Sequence, residues 1–376
     1  MSLVYNEDQL QLQDSARDFL SARSPVSVQR AIRDQAVATG YDADVWQGMQ
    51  ELGWSAVAFS EEDGGLDFGF AGFAPLFEEI GRHLSASPLL GSVVLCGGLI
   101  EQLGTAQQRQ QWLPQLIAGE LRLALALEES ARHAPDSIAV SARADAAGWL
   151  LDGEKAWVAD AREADGWLVV AREADGGCGV FLVRTGTPGV QCEARQMIDS
   201  RNMAALRFSN VRLDADSRLG TADAADALDL VLDRGRSCLA AELLGLAETA
   251  FAMTVEYLKT RVQFGVPIGS FQALQHRAAR LYADLQLARS SMMAAFAQLD
   301  RPGGDVRERR RLVSLAKWQA GQVAQRVSNE AIQMHGGIGV TDEYDLGLFL
   351  KRMRMAQNQL GNSDYHCQRY SDNRSA

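Results

Sequence analysis

The spacing of apolar residues changes period twice along this chain, and few architectures accommodate that order. Up to about residue 120, and again from about 217, apolar side chains recur every three or four positions, the repeat of an amphipathic helix. Between these stretches, short runs alternate with a period of two: Ser137–Arg143, Gly148–Leu151, Trp167–Ala171, Gly179–Val183, Ala205–Phe208 and Val211–Leu213. Turn signals such as Asp152-Gly153 and Gly176-Gly177 separate them. The expected fold class is α+β, with an N-terminal helical domain over 1–120, a central antiparallel β-barrel or sandwich over 121–216, and a C-terminal four-helix bundle over 217–376.

Within the first region, residues 6–50 read as helical, with Leu12, Ala16, Phe19 and Leu20 on one stripe and Val45, Met49 and Leu52 on another. Gly53–Ser60 runs into an acidic, glycine-rich turn at Glu61–Gly65. A helix is expected over Phe70–Leu84 with Phe73, Leu76, Phe77, Ile80 and Leu84 inward, which leaves Glu78 and Glu79 on a solvated face. Gly104–Glu120 reads as a further helix with its end marked by Pro114.

Composition narrows the function classes. Acidic residues number 48 against 37 basic ones, a net charge of −11, which argues against a nucleic-acid surface and confines any phosphate-binding patch to a local feature. Such a local patch suits a CoA-type substrate. The cysteines Cys96, Cys178, Cys192, Cys238 and Cys367 are scattered without a CxxC pair, as expected for reduced thiols in a cytoplasmic protein. The polar, acidic N-terminus is unlike a signal peptide, and no window of about 18 uncharged apolar residues predicts a membrane span.

The helical pattern of the last region breaks once, at Arg261–Gln272, between helix-like runs over 238–260 and 273–299. Two glycines and a proline interrupt it there. On residue chemistry alone this is either a helix–loop–helix corner or a binding corner. The segment RVQFGVPIGSFQ resembles the flavin-binding corner of the acyl-CoA dehydrogenase family. The resemblance extends over nearly the whole chain. It takes in Glu61–Gly65, Gly104-Thr105 with Leu113-Pro114, Gly153–Trp157, Thr187–Val190, Phe208–Val211 and Gln333–Thr341, in the family's order and spacing.

That resemblance implies FAD as cofactor and residue roles position by position. Arg261, Gln263, Phe264 and Gln272 match positions that hold the ADP and pyrophosphate of FAD, and Gln333, Gly336 and Gly337 match a second such cluster. A guanidinium fork suits a pyrophosphate better than an ammonium does, and paired glycines let backbone N–H groups approach phosphate. The alternative for Gly336-Gly337 is a helix C-cap. In the family these groups reach a neighbouring subunit's flavin, so an oligomer is implied, homomeric or with a related chain. Trp157 matches the Trp packed by the isoalloxazine ring, the alternative being a core Trp. Arg236 matches an Arg near the acyl thioester, the alternative being an ordinary helix-surface Arg.

The departures from the family pattern matter as much. The implied reaction removes a proton from the acyl α-carbon while hydride leaves the β-carbon for flavin N5, and it needs a carboxylate base. The family's two base positions align with Ser363 and Gly235, neither of which can serve. Asp364 is the adjacent carboxylate, and Glu242, seven residues beyond Gly235, lies about 10 Å along the helix. The Thr-Glu-Pro motif reads Glu128-Glu129-Ser130, and the Thr after the Trp is Ala159, so contacts to this chain's own flavin look weakened. A carboxylate beside the flavin pyrimidine edge is repulsive unless rotated away. The implied partners are an acyl-CoA substrate and an electron-transferring flavoprotein as acceptor. The other readings are a non-catalytic companion subunit and a same-fold oxidase using an Asp base.

Overall fold

In the computed structural model, which describes residues 4–374, the chain forms two compact units that interleave along the sequence. The helices are α1 (Glu7–Arg23), α2 (Val26–Asp34), α3 (Ala43–Glu51), α4 (Phe73–Arg82), α5 (Gly98–Leu103), α6 (Ala106–Ile117), α7 (Ala225–Thr260), α8 (Gln272–Leu299), α9 (Val306–His335), α10 (Leu346–Asn358) and α11 (Ser363–Asp372). The strands are β1 (Leu123–Ala126), β2 (Ser141–Asp145), β3 (Gly148–Ala159), β4 (Gly166–Glu173), β5 (Cys178–Arg184), β6 (Val190–Ala194) and β7 (Met203–Leu213), with a small hairpin of β8 (Val262–Gln263) and β9 (Val266–Pro267). One unit holds residues 4–29, 70–85 and 236–374; the other holds 30–69 and 86–235 and contains the large sheet.

In the helical unit, Asn6 starts α1 through a capping box with Gln9, and Ala16 and Leu20 are fully buried beneath it. Where α4 meets α7 the backbones nearly touch. A Cβ on Gly81 would stand 2.2 Å from the Glu242 carbonyl oxygen, and one on Gly245 would stand 2.0 Å from that of Glu78. This close crossing overturns the expected solvated face at Glu78 and Glu79. Both side chains are 0% exposed and are neutralised by arginines from three helices. Arg289 grips Glu78 with two 2.8 Å bonds, Arg82 reaches both carboxylates, Arg17 donates to Glu79, and the Tyr5 hydroxyl donates to Glu78 at 2.9 Å. Burial alone would raise the Glu78 carboxyl, but the Arg289 and Arg82 guanidiniums outweigh it and hold it below the usual range. The sequence pattern misled because a buried charge network and a solvated face share the same residue types.

Helix α7 is long and apolar enough, by length and composition, to cross a membrane, and 67% of its apolar window is buried inside the protein, as for a core helix.

In the second unit the sheet is mixed rather than wholly antiparallel. β4 pairs antiparallel with β5 on one side and parallel with β1 and the end of β2 on the other; β3, β7 and β6 follow antiparallel. β1 is parallel to β4 because the β2–β3 hairpin lies between them in sequence and returns the chain in the original direction. Two strands escaped the period-two reading for opposite reasons. β1 is buried on both faces, and β6 is almost wholly exposed. The core between the faces is built on Leu151, Trp167, Val169, Phe181, Leu206 and Phe208. A π-helical turn over Leu89–Gly97, leading into α5, was likewise invisible. It is buried on every side, so it shows no apolar stripe. Helix α6 carries Pro114 inside its last turn rather than beyond it.

Candidate active site

The first part of the site is the corner at residues 261–272. Pairing of Val262 with Pro267 and of Gln263 with Val266 leaves a two-residue hairpin loop whose members both have positive φ, 55° at Phe264 and 80° at Gly265. Such primed turns match strand twist but favour Asn-Gly or Gly-Gly. A phenylalanine there is strained, and it is 92% exposed, with its ring edge-on to Phe271 at 6.1 Å. Phe264 therefore stays where it is for something other than the fold's own packing. The side chains of Arg261, Gln263 and Gln272 are exposed and make no hydrogen bond or ion pair among the described residues.

Helix α9 ends at the same corner. His335 stacks on Tyr257 with ring centroids 4.4 Å apart, which joins the last turns of α9 and α7. His335 Nδ1 lies 2.7 Å from the Ala331 carbonyl and Nε2 3.1 Å from the Tyr344 hydroxyl, while burial pushes its pKa down. Sequence reading missed this clamp, although His335 lies inside the motif it quoted. Gly336 follows as a C-cap with φ of 63°, so the helix-cap alternative is correct as far as it goes. Beyond it, a Cβ on either Gly336 or Gly337 would meet nothing within 4 Å, so the backbone faces open space, and Gln333 is exposed with no side-chain partner among the described residues.

The second part belongs to the sheet unit. Between Lys155 and Val158 the β3–β7 register slips, leaving Ala156 and Trp157 opposite a single residue. Their N–H groups turn instead to the Glu128 carbonyl, at 2.8 and 3.3 Å. This bulge aims the Trp157 ring outward, 37% exposed, which excludes a core role. Glu128 and Glu129 are held by their own surroundings. His133 lies on the Glu128 carboxylate, and Glu129 accepts from Lys155 Nζ at 2.7 Å and from the N–H groups of Ala139 and Val140. Burial raises the Glu129 carboxyl, but those bonds more than offset it and hold it below the usual range. Burial lowers the fully buried Lys155 in turn, Glu129 opposing.

The third part surrounds Arg236, which is 1% exposed and so no surface arginine. Its Nε donates to the Leu360 carbonyl at 3.1 Å, its Nη2 donates to the Tyr365 hydroxyl at 2.9 Å, and its guanidinium lies over the Tyr365 ring. The residue whose backbone faces Arg236 is thus Leu360, an apolar side chain with φ of 57°. Ser363 accepts from Gln322 instead, at 2.9 Å. Asp364 is exposed on the first turn of α11, without a bonded partner among the described residues. Glu242 is committed to a buried two-point pair with Arg352, at 2.6 and 2.8 Å.

The helical unit thus presents an exposed arginine hairpin and a glycine-capped helix end, and the sheet unit, taken by itself, presents a tryptophan on a bulged strand. The family follows from comparison with known proteins. Models of the acyl-CoA dehydrogenase N-terminal, middle and C-terminal domains match residues 6–120, 125–213 and 226–373 in succession. The chain is 30% identical over 334 residues to acyl-CoA dehydrogenase FadE12 of Mycobacterium tuberculosis (strain ATCC 25618 / H37Rv), covering 86% of each. Its structure is similar to the Tcur3481-Tcur3483 steroid ACAD, with 31% identity, a TM-score of 0.88, and 98% and 97% of the two chains covered. It is similar also to the ChsE4-ChsE5 complex from Mycobacterium tuberculosis, with 26% identity, a TM-score of 0.90, and 99% and 98% covered. The chain belongs to the acyl-CoA dehydrogenase family, the FAD-dependent oxidoreductases of acyl-CoA thioesters.

The residues present fit FAD unevenly. The 261–272 corner and Gly336-Gly337 offer a free guanidinium, free amides and open backbone, the donor set a pyrophosphate needs. The sheet edge offers Trp157 but sets a carboxylate where a hydroxyl donor would serve, with Ala159 adding no polar group.

Proposed function

We propose that this chain takes part in α,β-dehydrogenation of an acyl-CoA thioester as one chain of an oligomer, its hairpin corner serving the FAD of a neighbouring subunit. The observation that carries this reading is the exposed, partnerless Arg261 beside a strained, outward Phe264. Exposed Val262, Val266, Phe271, Tyr282 and Leu287 in the same unit support association, since monomers rarely leave so much apolar surface bare. FAD, when bound, would supply the hydride acceptor, with Arg261, Gln263, Gln272 and Gln333 holding the pyrophosphate end of a neighbouring subunit's cofactor. In this reading Asp364, exposed in the first turn of α11, takes the α-proton. Arg236 orients the turn that precedes it, and an electron-transferring flavoprotein is the acceptor.

A specific observation favours a second reading. Leu360 faces Arg236, and Glu128 lies on His133 beside Trp157. Both suit a companion subunit that completes a partner's site, and the two similar solved assemblies each carry the names of two chains.

One set of measurements separates the readings: visible absorbance of the purified chain, and turnover of a panel of acyl-CoA esters with and without Asp364→Asn. A general base contributes about 10²–10⁴-fold, so the lone chain is expected to fall short of glutamate-bearing relatives by that order. Residual activity abolished by Asp364→Asn supports the first reading. No flavin, no effect of Asp364→Asn, and activity only after mixing with a related chain support the second. High turnover by the lone chain that survives Asp364→Asn overturns both.

A further inference from the structure

The α10–α11 turn is gripped from two sides by buried basic side chains. Leu360 and Gly361 both have positive φ, 57° and 111°. Gly361 cannot be replaced without moving its neighbours, because a Cβ there would lie 2.5 Å from the Tyr365 ring and 2.9 Å from His366 Nε2. Arg236 holds the Leu360 carbonyl from α7. From α9, Lys317 Nζ donates to the Gly361 carbonyl at 3.3 Å and to the Gln357 carbonyl, in the last turn of α10, at 3.0 Å. Lys317 is 2% exposed, and both its acceptors are neutral.

We propose that Lys317 is the positioning residue of the Leu360–Gly361 turn, and that the turn closes against Arg236 with Lys317 as the neutral amine and opens when Lys317 takes up a proton.

The charges around Lys317 run in that direction. Arg236 and Glu242 come from α7 and Arg352 from α10; Tyr365 and His366 begin α11. On α8, Asp284 pairs with Arg326 and Arg289 with Glu78 and Glu248. Burial first, then Arg236 and Arg352, push Lys317 down to about 7, with Glu242 opposing. An ammonium whose neighbouring carboxylate, Glu242, is already paired with Arg352 is disfavoured there and favours a conformation in which water reaches it. The open turn, with a hydrated lysine, therefore holds one more proton than the closed turn between about 7 and the ordinary lysine value of 10.5. Raising the pH through that window favours the closed turn, by up to about tenfold per unit. The proton released on closure passes to solvent. This device acts on the turn whether or not the lone chain turns over substrate.

The chain has only four lysines, Lys155, Lys259, Lys317 and Lys351, so selective ¹³Cε-lysine labelling gives a spectrum that can be assigned by single substitutions. One signal, removed by Lys317→Arg, is expected to titrate near neutrality. Amide exchange over residues 358–363, referenced to β4 and corrected for intrinsic rates, should slow by about tenfold per unit between pH 7 and 9 in the wild type. Lys317→Met should flatten that pH dependence. Lys317→Arg, charged throughout, should also flatten it and keep the turn at its less protected level. A Lys317 signal titrating with ordinary lysines overturns the proposal, as does a pH dependence unchanged in Lys317→Met. Should the methionine variant fail to fold, the wild-type titration decides alone.

Discussion

The side chains of Arg261, Gln263, Gln272 and Gln333 are exposed and have no hydrogen-bond or ion-pair partner among the described residues. Glu128, Glu129, Lys155 and His133 do the reverse: the Glu128 carboxylate lies on the His133 ring, and Glu129 is matched by Lys155 and two backbone N–H groups of its own unit. Exposed polar groups near a strained hairpin tip are hydrated and add little to the fold, which leaves them available to a ligand or another chain. Polar groups matched internally add order to the edge and subtract donors from anything that would bind there. The helical unit leaves its candidate donors exposed, whereas the sheet unit engages its own carboxylates internally.

The largest effect expected from this contrast is at Arg261. Arg261→Ala removes a fork whose charge-assisted bonds are worth about 1.5–3 kcal/mol each, so flavin retention by the assembled protein should fall by at least about tenfold. The fold should not change, since the side chain is exposed and has no partner among the described residues. Flavin content unchanged in the variant would break the comparison at its stronger end. On the opposite side, Glu128→Thr combined with Ala159→Thr removes a carboxylate and adds two hydroxyl donors at the edge. Each gained hydrogen bond is worth about 1 kcal/mol net, so flavin bound per purified chain should rise severalfold. A fall or no change would mean that the edge is not where a flavin of this chain would lie.

How far the sequence alone carries differs between the same regions. The helix–sheet–helix order was legible because most elements have one buried face, which prints a period on the chain. The corner was legible because two glycines and a proline interrupt an otherwise helical run. What stayed hidden was set by distant partners. Trp157 points outward because of a register slip against β7, and Arg236 is buried because it meets a carbonyl 124 residues away. The alignment of the missing base on Ser363 shows the same limit. Spacing along the chain places it three residues from Leu360, but only the packed turn reveals which of the two faces Arg236. Glu78 and Glu79 were misjudged because their neutralising arginines, Arg82 apart, lie on other helices.

The smallest predicted effect tests whether the strain at the hairpin tip is retained for binding. Phe264 occupies left-handed backbone that costs an L side chain about 1–2 kcal/mol, and asparagine recovers part of it through local hydrogen bonding. Its ring contacts only Phe271, so little packing is lost on removing it. Phe264→Asn should therefore stabilise the isolated chain slightly, by a few tenths of a kcal/mol to about 1 kcal/mol, read as a small rise in denaturation midpoint without a change in slope. The same substitution should weaken both flavin retention and self-association, because a ring that is 92% exposed is available to them alone. Opposite signs in the two measurements are what strain kept for function produces. Equal losses in both would instead make Phe264 part of the hairpin's own structure, and the contrast between an outward corner and a self-satisfied edge would rest on Arg261 and its glutamines without it.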